Sequence, residues 1–120
     1  MPTINKKEDD MEGLWTAEFG TASGFINGGV VMLQAGRIFG GDSGYYYVGK
    51  YSMDGETLTG ELGANHYYGP RTTAFGDSTA TFTVELTGKL NTTSDQIDGV
   101  LVRQGIGQVH FRLTKRATLA

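Results

Sequence analysis

A chain of 120 residues has the length of one domain, and a 38% hydrophobic share supports a modest core while excluding wholesale disorder. Thirteen acidic against ten basic residues, for a net charge of −3, leave no basic footprint for nucleic acid, and zero cysteines exclude disulfides, thiolate zinc sites and cysteine nucleophiles. No apolar run approaches the ~18 residues of a membrane-spanning helix and no signal-peptide core follows Met1, so a cytoplasmic location without membrane contact is expected.

Residues 1–11, MPTINKKEDDM, are polar and without periodicity and predict a disordered leader, with residues 12–120 forming a single domain. The acidic run Glu8-Asp9-Asp10 reads as a solvated part of that leader. Strand-like runs then alternate with turn signals. The first covers 14–19 and ends at GTASG. Runs 28–34 and 37–41 form a hairpin about Ala35-Gly36, and 45–53 joins 57–67 through Asp54-Gly55, a strong hairpin signal. After the longer loop YGPRTTAFGD, the run 79–90 alternates most clearly, with Phe82, Val84 and Leu86 on one face and Thr81, Thr83, Glu85 and Thr87 on the other. Runs 96–103 and 108–115, separated by QGIG, bring the count to eight. Nineteen glycines, about twice the ordinary usage of ~7%, suit turns and bends that let a sheet curl. The predicted fold is all-β, an eight-stranded antiparallel up-and-down barrel of the lipocalin-like kind, in which closure removes the sheet edges.

The stretch GGDSG contains the tetrapeptide that surrounds the nucleophilic serine of chymotrypsin-like proteases. Here Asp42-Ser43-Gly44 falls between two neighbouring strands, Tyr45 replaces the next glycine, and both histidines, His66 and His110, follow Ser43 in the chain. Asp, Ser and Gly are ordinary turn residues, so a turn is expected and no catalytic residue is assigned. Two histidines without metal spacing predict no metal site, and nothing in the sequence calls for a cofactor. Glu61 and Glu85 fall at outward positions and read as a solvated pair.

Two apolar sets carry the functional expectations. If Val30, Met32, Ile38, Tyr45 and Tyr47 face inward, then Val31, Leu33, Phe39, Tyr46 and Val48 face outward and leave a wall apolar on both sides. Such a patch predicts a partner surface, most simply that of a two-fold homodimer, unless the leader folds over it. Trp15, Phe19, Tyr45, Tyr47, Phe82 and Phe111 would line a cavity for a small apolar ligand, which makes a ligand carrier the alternative function.

Gly13-Leu14-Trp15 at the start of the first strand, with Arg112 and Lys115 in the last, resembles the lipocalin-type signature in which a tryptophan closes the barrel floor beneath a basic side chain. Over residues 11–70 the segments MEGLWTAEF, GRIFGGDS, YYYVGKYSMDGETL and HYY resemble the GrlR family, bacterial negative regulators of type III secretion. The resemblance implies a small lipocalin-like barrel, non-enzymatic, that dimerises and restrains a transcriptional activator by protein contact, with a helix-turn-helix activator as the expected partner. The founding regulator carries an acidic E-D-E-D turn. At the matching place this chain has Met53-Asp54-Gly55-Glu56, so only Asp54 and Glu56 correspond to it.

Overall fold

In the computed structural model, which describes residues 11–21 and 24–119, the apolar-polar alternation becomes eight strands: β1 Gly13–Thr21, β2 Gly24–Gln34, β3 Arg37–Gly41, β4 Tyr45–Asp54, β5 Thr57–His66, β6 Thr81–Asn91, β7 Gln96–Arg103 and β8 Gly107–Thr118. Each strand is antiparallel to the next and β8 pairs with β1, so the sheet closes into an up-and-down barrel with sequential neighbours. Of the leader expected over residues 1–11, residues 1–10 lie outside the described residues, and the side chain of Met11 is fully buried.

Period-two patterning does most of the positioning. In β6, Val84, Leu86 and Leu90 point inward and Thr83, Glu85, Thr87 and Lys89 outward, as the sequence predicts. The Asp54-Gly55 and Ala35-Gly36 turns form as read, with Gly55 and Gly36 at φ 62° and 78°, where a side chain would be strained. Strand glycines allow the tight curl: a Cβ on Gly49 would lie 2.2 Å from the Glu61 carbonyl oxygen of the neighbouring strand. The sequence reading placed the start of β2 four residues late and extended β5 and β6 into the loop that joins them.

One set of facings is corrected. Val31 and Leu33 point into the core and are almost fully buried, whereas Val30 is exposed. The cause is the two-residue turn, which pairs Leu33 with Ile38 and Met32 with Phe39. Opposed residues on antiparallel strands share a face, so an inward Ile38 forces Leu33 and Val31 inward. Phe39, Tyr46 and Val48 face out and Ile38, Tyr45 and Tyr47 face in, as expected.

The barrel has two unlike ends. At one, where the 35–36, 55–56 and 92–95 turns lie, Met11, Trp15, Leu33, Leu58 and Ile97 form a fully buried floor. At the other, the 42–44 turn and the long segment 67–80 surround the mouth.

Candidate functional site

The mouth is organised by Asp42. Its Oδ1 accepts hydrogen bonds from the backbone N–H groups of Gly44 (2.8 Å) and Tyr45 (2.7 Å), which folds Asp42-Ser43-Gly44 into a side-chain-capped turn. Its Oδ2 accepts the Tyr47 hydroxyl, and its backbone carbonyl accepts the Tyr67 hydroxyl. Ser43 is exposed in this turn, and among the described residues no hydrogen bond joins it to a histidine. His66 Nε2 instead donates to the Gly69 carbonyl at 2.7 Å, and His110 is exposed on β8.

The segment 67–80 folds across the mouth and is fastened by Arg103, a charged residue at an inward position near the end of β7. Arg103 Nη1 lies 2.9 Å from both carboxylate oxygens of Asp77, and Nη2 donates to Thr79 Oγ1 at 2.8 Å. Its guanidinium also lies 4.3 Å from the centre of the Phe82 ring and 5.7 Å from that of Phe75. Thr73 and Thr79 complete the cluster by donating to Asp77, each at 2.6 Å. Sequence reasoning missed this latch. One signal was available: Ile97, Leu101 and Arg103 share a face, and a lone arginine among inward positions demands a partner.

Hydrogen bonds from Arg103, then from Thr73 and Thr79, hold the Asp77 carboxyl well below its ordinary value of 3.8. A depressed folded-state pKa contributes stability that is complete above the unfolded value and declines as pH falls below 3.8 towards the folded value. The Asp77 side chain is about one-third exposed, which moderates the effect. Urea melts of the wild type and Asp77→Asn should therefore differ at neutral pH, and the gap should begin to narrow only as pH falls below about 3.8. A gap independent of pH would contradict the latch.

Beneath the segment lies a cavity of about 160 Å³, and below it a second, wholly apolar void of about 40 Å³. Of the six residues expected to line a cavity, Phe19, Tyr45, Tyr47 and Phe82 line the upper space and Phe111 lines the lower, which Phe19 and Tyr47 also border. The ring of Phe19 lies where Gly28 lacks a side chain: a Cβ there would be 2.2 Å from it. Asp42, Thr73 and Phe75 were not foreseen as lining residues. Burial and then the Asp42 carboxylate push the Tyr47 phenol far above the ordinary 10.0, and burial and then the Asp77 charge raise that of Tyr45. Both are neutral at physiological pH.

Trp15 lines neither space. It is the floor: fully buried, with Nε1 donating to the Met11 carbonyl at 2.8 Å and Lys115 Nζ lying 5.9 Å from the ring centre. Of the two basic residues considered for this place, Lys115 takes it, because it pairs directly with Trp15 across β1 and β8. Arg112, three positions earlier, faces the outside, where it donates to Asp98 at 2.7 Å and stacks on Phe25.

On the outer wall, Val30, Phe39, Tyr46 and Val48 are each 43–47% exposed. Phe39 is the direct neighbour of Val48 on one side and Met32 on the other, so these residues form one apolar strip across β2, β3 and β4. Tyr67 extends it, its ring centre 6.3 Å from that of Tyr46. Asp54 and Glu56 are exposed at the opposite end, in the β4–β5 turn. Glu61 and Glu85 are direct cross-strand neighbours on the outside, with Lys50 3.6 Å from Glu61.

These features define an eight-stranded antiparallel barrel, consistent with lipocalin-like folds, with a tryptophan floor, a latched mouth and an apolar outer strip. Compared with known proteins, the chain matches no protein-family model and no curated protein.

Proposed function

We propose that this barrel is a non-enzymatic regulator of the GrlR type, which acts by protein contact through the outer face of β2–β4. The observation that carries the reading is the strip of Val30, Phe39, Tyr46 and Val48, a contiguous apolar surface on strands whose inner face is already filled by Val31, Leu33, Ile38 and Tyr47. Large exposed apolar surface on a water-soluble barrel marks an interaction site. The size of the interior favours the same reading over a carrier. A cavity of about 160 Å³ falls short of the ~300–1,000 Å³ of ordinary drug-sized ligand sites.

The strip serves first to pair two copies about a two-fold axis, and the resemblance to GrlR supplies the second partner, a helix-turn-helix transcriptional activator. Neighbouring strands of a barrel offer area on the scale of a standard interface, about 800 Å² per partner. The test is sedimentation of the wild type beside Phe39→Glu/Val48→Glu. The wild type should sediment as a dimer, and the variant as a folded monomer with an unchanged circular dichroism spectrum, because a glutamate there would be desolvated without a partner on association. A monomeric wild type that also ignores a helix-turn-helix activator encoded beside its gene would reject the proposal.

A further inference from the structure

We infer that the space beneath segment 67–80 is a binding site for one small, neutral, single-ring molecule that carries a hydroxyl donor, an alkylphenol being the simplest example. This site is separate from the outer strip and is defined by its size, its wall chemistry and its free hydrogen-bonding positions.

Size comes first. A cavity of about 160 Å³ matches the ~150 Å³ that holds one benzene and is too small for a long-chain ligand. The lower void of about 40 Å³ shares Phe19, Tyr47, Leu62 and Leu101 with it as common walls, and its lining is entirely apolar. A short alkyl group on the ring suits this apolar side of the cavity and a polar group does not.

Wall chemistry comes next. Phe75, Phe82 and Tyr45 surround the upper space, with ring centres of Phe75 and Tyr45 each 6.0 Å from that of Phe82. Phe75 meets Phe82 edge to face and Tyr45 is tilted at 60° to it, and such a ring-lined wall favours a further aromatic ring. No cation lines the space among the described residues, since Arg103 is turned to Asp77 and Thr79. The one charged lining residue is Asp42, which disfavours a carboxylate ligand.

The count fixes the donor. A carboxylate offers about four acceptor positions. Asp42 uses three, for the N–H groups of Gly44 and Tyr45 and the hydroxyl of Tyr47. One position is left on Oδ2, and because Asp42 lines the cavity this suits a single neutral O–H. Three donors already compensate the charge, so a full cation is not required.

The probes are 4-ethylphenol, ethylbenzene and 4-ethylbenzoate, titrated calorimetrically into the full chain. We expect one-to-one binding of 4-ethylphenol, binding of ethylbenzene weaker by about tenfold or more through loss of a charge-assisted hydrogen bond, and no binding of 4-ethylbenzoate. Ala64→Leu, which adds volume to the cavity wall, should abolish binding. Amide shifts on addition of 4-ethylphenol to the wild type give a second readout that does not depend on this variant folding, and they should centre on Leu62, Ala64 and Thr73. Absence of saturable 4-ethylphenol binding at millimolar concentration, shifts confined to the outer wall, or binding intact in folded Ala64→Leu would overturn the site. Equal affinity for ethylbenzene or 4-ethylbenzoate would overturn the role of Asp42.

Discussion

Replacing Trp15 by alanine should destabilise the fold by about 3–5 kcal/mol, the range for truncating a large buried aromatic residue. The site has little means of relaxing. Trp15 is fully buried on a strand whose backbone is paired on both sides, with β2 and with β8, so the walls cannot collapse into the space it vacates. Two further contacts disappear with it. The Met11 carbonyl loses the indole N–H that it accepts at 2.8 Å, and Lys115 loses the ring beneath it, an interaction of about 0.5–2 kcal/mol. Domains of this size are typically stable by ~5–15 kcal/mol, so the variant should remain largely folded at 25 °C unless the wild type lies at the bottom of that range. Urea denaturation followed by far-ultraviolet circular dichroism measures the loss, and the wild-type emission of this sole tryptophan should be blue-shifted. A loss below about 1 kcal/mol would mean that Trp15 is not the closure of the floor.

The floor was legible because its evidence is local. Gly13-Leu14-Trp15 opens β1, and the parity of β8 puts Phe111, Leu113 and Lys115 on the inner face, which by itself selects Lys115 over Arg112. The strand count was legible for the same reason: Asp54-Gly55 and Ala35-Gly36 announce their hairpins, and the Thr-rich outer face of β6 announces its alternation. In β2 the signal fails. Val30, Val31, Met32 and Leu33 are all apolar, so a period of two leaves no trace and either facing satisfies the pattern. The turn decides it, since pairing Leu33 with Ile38 fixes the parity of the whole strand.

The latched mouth was illegible for a different reason. Asp77 and Arg103 are 26 positions apart and meet only because the barrel brings the end of β7 beneath segment 67–80. In sequence that segment carries turn residues without periodicity and reads as a loop, and nothing local predicts that Phe75 packs against Phe82 inside it. The Asp42 turn lies between these cases. Its conformation follows from Asp-Ser-Gly, while its link to Tyr47 depends on Tyr47 facing inward, which the alternation of β4 supplies. In the structure, the aspartate of that protease-like tetrapeptide shapes the rim of the cavity.

The facing of β2 leads to the second large effect: Val31→Glu should unfold the protein, whereas Val48→Glu should not. The two residues are of one type and lie two strands apart, but Val31 is 5% exposed and Val48 is 46% exposed. At position 31 the carboxylate would enter the apolar space bordered by Ala17, Leu33 and Leu113, with no cation lining it among the described residues. A group in that position either remains charged without solvent or takes up a proton to become neutral, and both alternatives consume much of the ~5–15 kcal/mol that holds such a domain together. Val31→Glu should therefore show an unfolded spectrum at neutral pH, or a midpoint lowered so far that little native protein remains at 37 °C. At position 48 the glutamate of a single barrel stays in water beside Phe39 and leaves the core untouched, so the variant should remain folded, its melt lowered only by the stability that dimerisation gives the wild type. Paired thermal melts decide the matter. If Val31→Glu melts like the wild type and Val48→Glu collapses, the strip proposed as the contact surface is the inner wall of the barrel, and the regulatory reading built on it falls.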